Sequence, residues 1–177
     1  MTNPPEPDDF SRAPEKDVFN WLDERSLAHH TVEHAPTFTV ADSAHVKMDM
    51  PGGHTKNLFM KDKKGNLVLV SAWAESELPL NQLHKLIGTQ RLSFTKADLL
   101  WEALKVTPGS VSAFALIHDA PKRVRFILDE ALFGFEAVNF HPLRCDMTTR
   151  IAISDLEKFV RATGREVERV DFSTLGR

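Results

Sequence analysis

The alternation of apolar and polar residues predicts short helices and strands along most of the chain. Val18 and Leu22 recur at helical spacing, so a first helix is expected over about Pro14–Ala28. At residues 56–71, two apolar runs flank a Lys-Lys-Gly-Asn turn, which is typical of a strand, a tight turn and a second strand. The other expected helices are Ala41–Met48, Leu80–Ile87, Lys96–Leu104 and Asp155–Ala162, and the other expected strands are His30–His34, Ala113–Ile117, Val124–Leu128, Ala137–Phe140, Thr149–Ile153 and Val167–Phe172.

The order of these elements predicts a mixed-sheet α/β fold in one compact domain over residues 14–177. About seven strands and four or five helices follow one another irregularly, whereas a doubly wound parallel sheet requires strict alternation. Ser154 is expected to cap the last helix. Residues 1–13 are acidic and rich in proline, so we expect a disordered lead-in there.

The composition narrows the class of protein. With 177 residues and 42% hydrophobic content, the chain can bury a core without a metal or disulfide staple. No apolar run approaches the roughly 20 residues of a membrane-spanning helix, and the polar N-terminus does not resemble a secretory signal. A single cysteine, Cys145, fits a reducing compartment. We therefore expect a cytoplasmic protein that does not contact a membrane.

Charge is distributed unevenly, although the formal net charge is only −3. Residues 46–64 carry five lysines against two aspartates, and residues 122–125 read Lys-Arg-Val-Arg. Such patches can bind a polyanion locally, because electrostatic attraction to phosphates acts within about 10 Å. Solvated turns give the same pattern, and charge alone leaves both interpretations open.

Most familiar catalytic motifs are absent from the sequence. There is no dinucleotide fingerprint, phosphate loop or Gly-x-Ser-x-Gly elbow. His29, His30 and His34 cluster, but without the spacing of a metal site, so structural histidines are the favoured interpretation and no metal or other cofactor is expected. His141 and Cys145 are four residues apart in a predicted loop, which is weak support for a thiolate–imidazole pair.

Three segments carry residues suited to chemistry. Residues 51–59 place Lys56 and Asn57 after two glycines at the start of an apolar strand, where the lysine could hold a phosphate or a developing oxyanion. Residues 108–114 form a Gly/Ser-rich turn whose backbone N–H groups and hydroxyls could hold an anion. His141 ends an apolar strand and could donate a hydrogen bond into a cleft. A surface lysine, an ordinary turn and a structural histidine remain the alternatives.

Taken together and in order, the segments resemble the YbaK/ProX-type aminoacyl-tRNA deacylases, freestanding relatives of the editing domain of bacterial prolyl-tRNA synthetases. The most specific match is Lys56-Asn-Leu-Phe followed by Asp62-Lys-Lys-Gly. The branch that removes alanine from proline tRNA is the most similar. The other matching stretches are Arg91-Leu-Ser-Phe, Pro108-Gly-Ser-Val-Ser-Ala-Phe, Phe140-His-Pro-Leu and Thr148-Thr-Arg-Ile-Ala-Ile-Ser-Asp-Leu.

The resemblance implies a compact mixed-sheet editing-domain fold and a role for particular residues. It implies that Lys56, Gly109 and His141 form the catalytic cleft. The residues implied in substrate binding are Asn57, Ser110, Ser112, Phe114 and Asp129, and those implied in tRNA binding are Lys61, Lys63 and Lys64.

The implied activity is hydrolysis of a mischarged small amino acid, with alanine as the expected one, from proline tRNA. The implied partners are the acceptor end of aminoacyl-tRNA and prolyl-tRNA synthetase. The chain departs from the family pattern at Asn81, Ala113, His118 and Cys145, which leaves the amino-acid preference open. Two alternatives therefore remain, a non-catalytic tRNA- or synthetase-binding module of the same fold and a hydrolase of small free esters.

Overall fold

The computed structural model describes residues 3–37 and 50–174, so the helix expected at Ala41–Met48 lies outside the described residues. The described helices are α1 (Glu15–Glu24), α2 (Leu83–Ile87), α3 (Ala97–Leu104) and α4 (Ile153–Ala162), with 3-10 helices at Ala113–His118, Glu130–Gly134 and Phe172–Thr174. The described strands are β1 (His29–Glu33), β2 (Gly53–Lys61), β3 (Leu67–Trp73), β4 (Ser93–Phe94), β5 (Val124–Asp129), β6 (Ala137–Phe140), β7 (Met147–Ala152) and β8 (Glu168–Val170).

These strands form one mixed sheet in the order β1-β7-β6-β2-β3-β5-β8, with β4 paired to β2. The pairs β6–β2, β3–β5 and β5–β8 are parallel, and the others are antiparallel. The mixed α/β fold expected from the sequence is therefore confirmed. The β2–β6 pairing is short, since it joins only Gly53 to Val138 and His54 to Asn139. Beyond these two positions β2 and β6 are not paired.

Both faces of the sheet are packed, because successive side chains of a strand point to opposite faces. On one face Phe59, Leu69 and Phe126 pack with helices α1, α3 and α4 in the larger core. On the other face Met60 and Val70 pack in a smaller cluster. That cluster also contains Val68, Ala72, Leu83, Ile87, Ile127 and Phe172.

The hairpin expected at residues 56–71 is confirmed, with β2 and β3 in register from Thr55–Trp73 to Lys61–Leu67. The buried Asp62 carboxylate fixes its turn by accepting hydrogen bonds from the backbone N–H groups of Lys64 and Asn66, each at 2.9 Å. Gly65 closes the turn with φ +85°, a conformation that glycine adopts without steric cost.

The strand expected at Ala113–Ile117 is wrong, because this segment is a 3-10 helix. The Ser112 hydroxyl accepts a hydrogen bond from Phe114 N–H and so starts a helical turn. A short run in which nearly every residue is apolar shows neither the helical nor the strand spacing of apolar positions, so its pattern does not distinguish the two structures. The cap expected at Ser154 is also wrong, because α4 begins at Ile153, two residues before the expected start, with Ala152 at the N-cap and no side-chain cap.

Residues 3–13 contact the folded domain, although the sequence suggested a disordered lead-in. The Arg12 guanidinium lies 4.8 Å from the Trp101 ring centre, and the Arg144 guanidinium lies 4.9 Å from that of Phe10. None of the helices within residues 3–37 and 50–174 is both long and apolar enough to cross a bilayer.

Candidate active site

Lys56 lies in the middle of β2, opposite Ala72 of β3, and is partly exposed. Its ammonium group donates a hydrogen bond to the backbone carbonyl of Ser76, in the loop that follows β3. The Ser76 hydroxyl in turn donates to Asp129 Oδ2 at 2.6 Å. A chain of contacts thus connects the lysine to the end of β5.

Asp129 is the anchor of this chain of contacts. The side chain is 2% exposed. Besides Ser76, Oδ2 accepts the Trp73 N–H at 3.0 Å, and Oδ1 accepts the Ala131 N–H at 2.9 Å. Each oxygen therefore has a partner, as a buried carboxylate requires. Asp129 therefore supports Lys56 indirectly, by holding the loop whose Ser76 carbonyl accepts the lysine's hydrogen bond.

Lys56 shares a face of the sheet with His54 and Asn139, and His141 lies close to His54. The β2–β6 register pairs His54 with Asn139, and side chains two positions apart along β2 point the same way. His141 directly follows β6, and His54 is among the neighbours that affect its pKa. We call the surface that carries His54, Lys56 and Asn139 the site face.

Asn57 points to the opposite face of the sheet. It follows Lys56 directly in β2, and its amide oxygen accepts a hydrogen bond from Ser71, its partner in β3. Its amide nitrogen donates to Thr55 Oγ1 at 3.2 Å. The structure therefore separates Lys56 and Asn57, which the sequence had suggested for one cleft.

His141 is held by its Nδ1 atom, which lies 2.7 Å from the Met147 carbonyl oxygen. A carbonyl only accepts hydrogen bonds, so Nδ1 carries the proton and the neutral ring presents an acceptor at Nε2. Nε2 lies 3.4 Å from Thr37 Oγ1. The sequence suggested a donor here, whereas the neutral ring offers its lone pair.

The surroundings of His141 keep its ring neutral. Burial lowers the pKa of His141, the Met147 carbonyl opposes this shift, and the neighbouring charges of His34 and His54 lower the pKa further. The rings of His34 and His141 are 6.2 Å apart between centres. Neutral imidazole is therefore favoured near pH 7.

The loop that contains Gly109 lies against the turn after His141. Gly109 has φ +88°, and Ser110 is fully buried next to Cys145. Ser110 Oγ makes no hydrogen bond of normal geometry within the described part of the chain. Burial raises the pKa of the Cys145 thiol, so this cysteine is a poor nucleophile.

Two N–H groups of this loop already have partners. Ser110 N–H donates to the Thr107 carbonyl at 3.1 Å, and Phe114 N–H donates to Ser112 Oγ at 3.2 Å. The sequence had suggested free N–H groups here for an anion. The structure therefore removes these two from the donors that a ligand could use.

The remaining predicted residues lie in the larger core or at the hairpin turn. Phe114 is fully buried in the larger core, with its ring edge-on to those of Phe140 and Phe159, so the structure places it in packing rather than in an open cleft. Lys61, Lys63 and Lys64 are exposed at the β2–β3 turn. Five residues of strand, about 17 Å, separate Lys61 from Lys56.

Sequence reasoning missed Ser76 and Thr37. Ser76 lies in an irregular loop and reaches Lys56 only because the β3–β5 pairing brings Asp129 alongside. Thr37 joins the turn after His141 through its N–H, which donates to the Cys145 carbonyl at 2.9 Å. Neither position has a local sequence signal. In the described part of the chain, no group of three His, Cys, Asp or Glu side chains could hold a metal ion.

Comparison with known proteins bears on this site. The family model described as an aminoacyl-tRNA editing domain matches residues 34–159. The chain is 32% identical over 151 residues to the prolyl-tRNA editing protein ProX of Acetoanaerobium sticklandii. This alignment covers 85% of this chain and 92% of that protein. The chain is 36% identical over 146 residues to the prolyl-tRNA synthetase associated domain-containing protein 1 of Mus musculus, covering 80% and 86%.

The fold is also found among solved structures. A crystal structure named "a putative trans-editing enzyme for prolyl tRNA synthetase" superposes with a TM-score of 0.65 at 21% identity, and covers 89% of this chain and 96% of that chain. At this identity the likeness concerns the fold alone. Because the family model spans most of the chain and the bacterial relative aligns along nearly its whole length, the chain belongs to the aminoacyl-tRNA editing domain family.

Proposed function

We propose that this protein is a trans-editing deacylase that hydrolyses the ester between proline tRNA and a mischarged small amino acid, with alanine as the expected one. Family membership and the name of the bacterial relative, a prolyl-tRNA editing protein, support the reaction class. The single observation that carries the proposal is Lys56, a cation held on the site face by Ser76 and Asp129.

The proposed mechanism requires no protein nucleophile. An aminoacyl ester is already activated, so water can attack once the carbonyl is held and its developing negative charge is stabilised. The Lys56 ammonium supplies positive charge, and backbone N–H groups near Gly109 other than those of Ser110 and Phe114 assist. Neutral His141 orients the substrate by accepting a hydrogen bond at Nε2.

Selection for a small side chain follows from steric exclusion. A tight pocket rejects a larger residue by clash, which discriminates more strongly than the few contacts a methyl group gains. Proline on its own tRNA is therefore expected to survive. Lys61, Lys63 and Lys64 would contact phosphates of the acceptor stem.

The test is release of labelled alanine from alanyl-tRNA(Pro), with prolyl-tRNA(Pro) and alanyl-tRNA(Ala) as controls. We expect the mischarged species to be hydrolysed selectively. Lys56→Ala should lower kcat by about 100-fold or more, as loss of a charge-stabilising donor does. Lys158→Ala is the matched control, because Lys158 lies on α4 and is 67% exposed.

The outcomes separate the alternatives. Full activity in Lys56→Ala would exclude the lysine mechanism. Binding of tRNA without turnover by the wild type would instead favour the non-catalytic module. The remaining alternative is a hydrolase of small esters. It would be favoured if a small free aminoacyl ester were cleaved as fast as the charged tRNA and with little salt dependence.

A further inference from the structure

Phe94 is the one large hydrophobic side chain that is markedly exposed among the described residues, at 57%. It ends β4, a strand of two residues that pairs with β2 through Met60–Phe94 and Lys61–Ser93. The Thr95 N–H also donates to the Phe59 carbonyl, at 3.4 Å. The backbone that presents the ring is therefore anchored to the sheet.

Phe94 shares a face with Lys56. Directly opposed residues of antiparallel strands point the same way, so Phe94 lies beside Met60, and alternation along β2 puts Leu58 and Lys56 on that face too. Four residues of strand separate Met60 from Lys56, a distance of about 14 Å. Met60, which is 1% exposed, and half-buried Leu58 lie between the ring and the lysine in the smaller apolar cluster, so the two are separated by packed residues of one face.

Exposed cations flank Phe94 along the chain. Arg91 precedes it by three residues and Lys96 follows it by two, and both are exposed. Lys61 pairs with Ser93 and, by the alternation along β2, points to the face opposite Phe94. An aromatic ring among exposed cations is the arrangement with which proteins bind single-stranded nucleic acid, since bases stack on the ring while cations hold phosphates. An apolar protein partner would gain less from these flanking charges.

We propose that Phe94 is a stacking platform for a base of the single-stranded 3′ end of the substrate tRNA. The proposal rests on the proposed function, which places the ester at Lys56. At about 3.4 Å per stacked nucleotide, 14 Å corresponds to about four nucleotides from the ester. Phe94 would thus extend recognition of the substrate tRNA beyond its terminal nucleotide.

The experiment compares two substrates, alanyl-tRNA(Pro) and alanine esterified to adenosine. The variants are Phe94→Ala, Phe94→Leu and Phe94→Trp. We expect the ratio of kcat/KM for the tRNA to kcat/KM for the adenosine ester to fall about 5- to 150-fold in the Ala and Leu variants, as expected for loss of one base stack. Phe94→Trp should keep the ratio, because indole also stacks.

A binding measurement separates this proposal from the proposed function. Fluorescence anisotropy with uncharged proline tRNA at fixed salt should show the same order, with Trp close to wild type and both Ala and Leu weaker. If the wild type hydrolyses neither ester, the deacylase proposal fails, while the order of affinities still decides the base contact. An unchanged affinity and ratio in Phe94→Ala, or a Leu variant equal to Trp, would overturn the stacking proposal.

Discussion

Asp129 is almost fully buried, and its two oxygens accept hydrogen bonds from Trp73, Ser76 and Ala131. Together these bonds fix the loop whose carbonyl accepts from Lys56. At the scale of single residues, the proposed site therefore depends on a buried side chain whose two oxygens already accept hydrogen bonds from the protein. We regard Asp129 as a positioning residue.

Asp129→Asn should lower kcat on alanyl-tRNA(Pro) more than Ser76→Ala does. The amide places a donor against groups that themselves donate, and leaving one unpaired costs about 1–3 kcal/mol of unfolding free energy. Ser76→Ala keeps the backbone carbonyl that accepts from Lys56. Steady-state kinetics and urea unfolding measure both effects. A wild-type kcat in folded Asp129→Asn would contradict the positioning role.

His141 should make the fold less stable in acid. Its pKa is lowered by burial, so around and below its ordinary pKa near 6.5 the unfolded chain binds more protons than the folded one. The stabilisation is fully present above that pH and is lost as the pH falls towards the folded pKa. Burial also lowers the pKa of His118, so the informative quantity is a difference between proteins.

The measurement is the urea midpoint of the wild type and of His141→Gln between pH 5 and 7.5. We expect the wild type to lose more stability on acidification than the variant. Parallel pH profiles would mean that His141 does not titrate differently in the folded chain.

At the scale of elements, the junction of β2 and β6 joins the strand that carries Lys56 to the strand that leads into His141. Gly52 precedes β2 with φ +112°, and a Cβ there would lie 2.5 Å from the Ala137 carbonyl oxygen. Gly65 has φ +85° in the hairpin turn, but a Cβ there would meet no atom within 4 Å. The two glycines therefore share a backbone conformation that other residues rarely adopt, and they differ in their surroundings.

Gly52→Ala should destabilise the fold more than Gly65→Ala. Both substitutions force alanine into left-handed backbone, at about 1–2 kcal/mol. Only Gly52→Ala adds a clash with the backbone of β6, which typically costs a further 1–3 kcal/mol. Urea midpoints measure the difference. Equal losses would show that β6 shifts without cost.

The element scale also shows what a sequence pattern can identify. The β2–β3 hairpin was predictable because its turn residues and apolar runs are local signals. The segment Ala113–His118 was mistaken for a strand because nearly all of its residues are apolar and buried, so apolar and polar positions do not alternate with a helical or strand period. The pairing of β4 with β2 had no signal, since two residues show no alternation.

At the scale of the whole molecule, the lysines of the hairpin turn lie at one end of the sheet, and the site face reaches Lys56 about 17 Å away. This separation fits a substrate whose charged backbone extends well beyond the reacting ester. Binding should then depend on salt, because each phosphate contact releases counterions.

The double substitution Lys63→Glu/Lys64→Glu should weaken binding of proline tRNA and flatten its salt dependence. Each lost phosphate contact removes about 0.7–0.9 from the slope of log K against log salt. Lys158→Glu, on α4, is the control of equal charge type. Fluorescence anisotropy titrations with proline tRNA at about 50 to 200 mM salt, the range over which such binding weakens, give the slope for each protein. An unchanged slope would place the phosphates elsewhere.

The sequence by itself determined the family, the mixed α/β class, the hairpin and the candidate lysine, because these depend on contiguous residues and their spacing. Only the tertiary structure decided that Lys56 and Asn57 face opposite sides, that Ser76 and Asp129 hold the lysine, and that neutral His141 presents an acceptor. The physical reason is that strand pairing joins residues far apart in sequence. Which side chains meet is fixed by register and burial, and neither is written in any local pattern.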